Sequence, residues 1–72
     1  MKDGLKRATV LIVKRGAEFL VARIPYSQEY RWSASAYDAW QTRDRRKAER
    51  LARRTGGIVM LFNPVVKQMR VL

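Results

Sequence analysis

The stretch Arg43 to Arg54 constrains this chain more than any other, because its apolar and charged positions separate at helical period. Advancing about 100° per residue gathers Asp44, Ala48, Leu51, Ala52 and Thr55 into one sector, the face that must pack on the rest of the fold. The opposite half is basic. Arg43, Lys47, Arg50 and Arg54 stack along one outer line, with Arg46 and Arg53 beside it. Glu49 falls at the edge of this half, and Arg45 lies on the other flank, where its aliphatic stem can cover apolar sheet surface. Thr42 or Asp44 supplies an N-cap, and Gly56-Gly57 ends the helix, since glycine readily takes the left-handed conformation that closes one.

The strands that such a helix needs are legible on both sides of it. Ala8 to Val13 is β-branched and apolar, Arg15-Gly16-Ala17-Glu18 reads as a turn, and Phe19 to Ile24 is a second apolar run, which together predict a hairpin. Thr9, Leu11 and Val13 project to one face and Val10 and Ile12 to the other, so the first strand is expected to be central or covered on both sides. Pro25 stops the second strand, because it has no N–H for a ladder. Residues 25–42 then form a long aromatic-rich loop, within which Tyr30-Arg31-Trp32 could add a short strand. Ser35 followed by Asp38 loosely matches a capping box, so a helical turn is expected over Ala36 to Trp40. After the helix, Ile58 to Phe62 reads as a strand, Asn63-Pro64 as a turn, and Gln68 to Leu72 as an edge strand. The expected fold is therefore one α+β domain over residues 1–72: a small antiparallel sheet of three to four strands in ββαββ order, with one helix on one face and a flexible start at residues 1–7.

Sixteen Lys and Arg against six Asp and Glu give a net charge of +10. Such a charge raises encounter rates with anions and costs stability through self-repulsion, which points to nucleic acid, an acidic protein surface or an anionic membrane. With 47% hydrophobic residues in short periodic blocks, the chain is a packed globule and not a basic tail. A membrane role fits poorly, because the helix offers only Ala48, Leu51 and Ala52 as apolar anchors. The apolar run near the start is too short for a signal peptide or a span, so a cytoplasmic location is expected.

Unrelieved like charge is the feature that favours a phosphate ligand. Cations at four-residue spacing cost a helix roughly 0.2 to 0.5 kcal/mol per pair, and a helix that needs only solubility would interleave Glu. Phosphates neutralise such a stripe and release counterions, and guanidinium adds bidentate hydrogen bonds. Arg43, Arg46, Lys47, Arg50, Arg53 and Arg54 are accordingly the candidate contacts to DNA or RNA. The bland alternative is a solvated helix face. Five aromatics, Tyr26, Tyr30, Trp32, Tyr37 and Trp40, cluster around Arg31. The tryptophans are expected to fill core, whereas Tyr26, Tyr30 and Arg31 are candidates for stacking on unpaired bases.

Catalysis is not expected. The chain has no His and no Cys, which removes the usual general bases, thiol nucleophiles and soft metal ligands, and the six acids are scattered. Gly56-Gly57 follows a helix instead of opening one, so it is no phosphate loop. No cofactor or metal is implied.

Trp40-Gln41-Thr42-Arg43-Asp44, then Ala48 and Ala52, then Gly56-Gly57-Ile58-Val59 and Phe62-Asn63-Pro64, resembles small uncharacterised phage and prophage proteins with a hairpin, a helix and a return strand. The resemblance covers the second half of the chain and rests on structural motifs. It implies a phage or mobile-element accessory role, such as inhibition of a host nuclease or defence complex, and it carries no site residues across. Two further readings stand beside nucleic-acid binding: a basic surface that covers an acidic host protein, and a homo-oligomer joined at a sheet edge through Met69, Val71 and Leu72.

Overall fold

The computed structural model describes residues 8–72; the start expected to be flexible, residues 1–7, lies outside the described residues. Five strands form one antiparallel sheet: β1 (Val10–Arg15), β2 (Glu18–Arg23), β3 (Tyr30–Ser33), β4 (Ile58–Asn63) and β5 (Gln68–Val71). Their order across the sheet is β3-β2-β1-β4-β5. The α-helix α1 (Arg45–Thr55) connects the two halves. The α+β class and the one-face helix agree with the sequence. The strand count does not, because the Tyr30-Arg31-Trp32 segment is a full edge strand, so residues 25–42 are not one long loop.

β1 is central, and its alternation builds two cores. Leu11 and Val13 join Leu20, Val59, Ala48 and Ala52 on the helix side, with Trp32, Trp40 and Tyr30 packed against them. Ile12 joins Phe19, Met60 and Phe62 on the far side, covered by Ala36 and Ala39. Those alanines come from a short 3-10 turn, Ala36–Asp38, and the residue after it. Tyr37 lies edge-on to Phe62, with ring centroids 5.5 Å apart, an arrangement aromatic pairs prefer.

The chain must pass from the far layer to the helix layer, and it does so through the sheet. β1 and β2 pair only at the closed end of their hairpin, Lys14 with Phe19 and Arg15 with Glu18. Beyond that the strands part and residues 40–42 lie between them. The Trp40 N–H donates to the Leu20 carbonyl at 2.8 Å, and Thr42 exchanges both backbone bonds with Leu11, at 2.8 and 3.1 Å. The wedge satisfies the groups that the parted strands would otherwise leave unpaired. It also delivers Thr42 directly to the start of the helix.

The local signals at the helix ends are those expected. Asp44 is the N-cap, its carboxylate accepting from the N–H groups of Arg46 and Lys47 at 3.0 and 3.2 Å. Gly56 closes the helix with φ +76°. Gly57 serves a different need: a Cβ there would stand 2.8 Å from both the Lys14 carbonyl oxygen and Val13 Cγ1, so only glycine lets the chain enter β4 against β1. The Ser35 and Asp38 reading is half right. Ser35 caps the turn by accepting from the Tyr37 N–H, but Asp38 accepts from the Ser33 hydroxyl at 2.9 Å instead of reaching back to Ser35.

Candidate nucleic-acid interface

Of the six cations read as one face, five sit on α1. Arg46, Lys47, Arg50, Arg53 and Arg54 are all exposed, while Ala48 and Ala52 are buried beneath them. Arg43 is a correction: it precedes the Asp44 cap, so it is not on the helix and does not stack above Lys47. An angular projection counts residues past a boundary that only the cap reveals.

Arg50 is the centre of the array. Its neighbours at i−4, i−3, i+3 and i+4 are Arg46, Lys47, Arg53 and Arg54, so every adjacent surface position along the helix is cationic. The one ion pair among the described residues, Arg45 Nε to Glu49 Oε2 at 2.9 Å, sits at the edge of this face and includes none of the five cations. The helix field adds a second asymmetry. No acid occupies the first turn, where Arg45, Arg46 and Lys47 face the positive end of the dipole, whereas Arg53 and Arg54 sit favourably at the other end. The Asp44 cap already sets a carboxylate at the positive end, so an anion placed near Arg46, Lys47 and Arg50 acts by relieving the mutual repulsion of these side chains.

The three stacking candidates do not form one surface. Tyr30 is half-buried against the helix-side core, and so is Trp32. Arg31 lies between them on β3, and strand alternation sends it to the opposite face of the sheet. Tyr26 stands at the tip of the β2–β3 connection, fully exposed. It follows Pro25 in a turn closed by the Ser27 N–H donating to the Ile24 carbonyl at 3.2 Å, and its φ is +60°. Such a turn favours glycine at that position, and an L-residue there costs roughly 1–2 kcal/mol. A fully displayed ring held in an expensive conformation is a feature that stability alone disfavours. Tyr26→Gly is expected to raise stability by a few tenths to about 1 kcal/mol, glycine's own entropy cost offsetting part of the relief. If the ring stacks on bases, the same variant weakens single-stranded DNA binding about fivefold or more. Thermal denaturation and a parallel oligonucleotide titration check the two effects together.

Sequence reasoning missed two arrangements. Arg15 places its guanidinium 3.9 Å from the Trp32 ring centroid, and its Nη1 donates to the Thr55 carbonyl at 3.5 Å, tying the hairpin turn to the helix end. The second is a groove lined by Arg43 and Arg45 from the helix start and by Lys67 and Arg70 from the β4–β5 hairpin. Nothing local in the sequence joins those four residues.

Among the described residues no group of three or more acidic side chains is placed to hold a metal, and no helix is long and apolar enough to cross a membrane. No protein-family model, curated protein or solved structure matches the chain.

Proposed function

We propose that this chain is a small non-catalytic binding domain whose helix face contacts nucleic-acid phosphates, with no readout of base sequence. The observation that supports it most is the exposed cross of cations centred on Arg50, with no carboxylate at the positions three and four residues from it. Arg46, Lys47, Arg53 and Arg54 supply further phosphate contacts, and Tyr26 offers a ring to an unpaired base. A neutral or zwitterionic ligand would leave the repulsion in place, whereas a polyanion removes it and gains counterion entropy. Arg43 and Arg31 lie apart from this face and are not assigned to it.

Titration of a labelled oligonucleotide at about 50 and 200 mM salt tests the proposal. Binding at low salt that weakens by at least tenfold at the higher concentration is expected, with little difference between unrelated sequences. Absence of binding at low salt, or binding indifferent to salt, would overturn it.

A further inference from the structure

The helix side of the sheet is covered unevenly. Towards β2 and β3 the space beside α1 is filled by Trp40, Trp32 and Tyr30. Towards β5 none of the described residues fills it, because α1 packs chiefly on β1 and β4. What remains is an open groove of about 1020 Å³. Its floor is aliphatic: Leu11, Leu61 and Leu72. A shallower depression that shares Arg45 and Leu72 prolongs it past Ala52 and Arg53 to Ile58. The groove therefore follows the length of the helix, about 16 Å for eleven residues.

The rim carries the second signal. Arg43 and Arg45, the latter paired with Glu49, stand on one side, Lys67 and Arg70 on the other, and no Asp or Glu among the described residues lines the main groove. Lys67 holds this position with φ +56°, a conformation that an Asn or Gly would adopt more cheaply. An aliphatic floor between two cationic walls selects a ligand that is apolar on one stripe and acidic on both flanks.

We propose that this groove receives an acidic amphipathic helix from a partner protein, laid beside α1 on the β4–β5 part of the sheet. A helix packed there lies about 8–10 Å from α1, completes the half-finished helical layer, and sets its leucines on Leu61 and Leu72 and its glutamates against Arg43, Lys67 and Arg70, Arg45 being already paired with Glu49. Charge disfavours the other occupants. A second copy of the chain brings another +10 and opposes Lys67 and Arg70 with their own counterparts. Nucleic acid gains nothing from an aliphatic floor that offers no ring for stacking, and a concave surface does not insert into a bilayer. The proposal stands apart from the nucleic-acid reading, since its charge contacts are Arg43, Lys67 and Arg70, and of the five cations on the outer helix face only Arg53 borders the shallower depression.

The test uses isotope-labelled full chain and four probes: a Leu/Glu amphipathic peptide of about 16 residues, its Glu-to-Gln counterpart, a DNA duplex and anionic phosphatidylserine vesicles. The acidic peptide is expected to shift the backbone amides of Leu61, Gln68 and Leu72, and the Gln counterpart to bind at least about tenfold more weakly. The exposed pair Lys67→Asn and Arg70→Glu should cost the peptide about tenfold and change duplex affinity by less than about threefold, while Arg50→Glu should do the reverse. Folding of each variant is read from the same amide spectrum. Four results would overturn the proposal: no shift at about 1 mM peptide, equal binding of the Gln peptide, shifts on the outer helix face instead of the groove, or the same groove shifts produced more strongly by duplex or vesicles.

Discussion

Replacing Arg46, Lys47, Arg50, Arg53 and Arg54 together with glutamine is expected to lower affinity for duplex DNA by at least about a thousandfold at 50 mM salt. The size follows from counting charges. Each phosphate contact contributes close to 0.9 to the logarithmic salt slope on duplex DNA, so losing up to five contacts flattens that slope by up to about 4.5. Both quantities come from one experiment, a salt series on the parent and the variant. A variant that binds with unchanged slope would place the interface elsewhere. The single change Arg50→Gln carries a more diagnostic signature, because Arg50 adjoins all four of the others. It should weaken binding severalfold while raising stability by a few tenths to about 1 kcal/mol at low salt, since it relieves up to four like-charge pairs that solvent only partly screens. A residue kept for solubility alone would show the gain in stability without the loss of binding.

The same helix shows what a sequence of this kind reveals and what it conceals. Its ends were legible because caps are local chemistry: Asp44 satisfies two N–H groups next to it, and Gly56 needs a positive φ where the helix stops. Burial of Ala48 and Ala52 and the two cores served by β1 were legible because period alone determines them. Arg43 was misread because a helical wheel has no boundary of its own. β3 was read only as an option within a loop, since four residues interrupted by an exposed arginine carry little signal and the strand exists by pairing with β2. The passage of residues 40–42 between β1 and β2 was invisible for a stronger reason: its hydrogen bonds join Trp40 to Leu20 and Thr42 to Leu11, about twenty and thirty residues apart in sequence. The groove shares that origin, as its four cations meet only after the helix start and the last hairpin are folded against one sheet.

Ile12→Ala is expected to remove a large share of the total stability. Ile12 is completely buried on the central strand, flanked by Met60 and Phe62 from β4 and Phe19 from β2. Truncating such a residue costs roughly 2–5 kcal/mol, the range reflecting how far the surroundings can close on the vacancy. Here closure is poor. The backbone is held at this point by β4, through the pairing of Ile12 with Met60, and the covering layer is only a 3-10 turn whose inward side chains are Ala36 and Ala39. Neither alanine has atoms to move into the space, and Tyr37 is committed to the edge of Phe62. The cost should therefore fall in the upper half of the range. A 72-residue domain is worth about 4–11 kcal/mol in all at 0.05–0.15 kcal/mol per residue, so Ile12→Ala should lower Tm by more than about 10 °C and leaves a marginal fold. Because that variant approaches the limit of equilibrium measurement, Ile12→Val supplies the calibrating point, with an expected cost of about 0.5–1.5 kcal/mol. Urea denaturation of the two variants decides the matter: an Ile12→Ala cost below about 1 kcal/mol would mean that the far layer is loosely packed and that the helix side alone holds the sheet together.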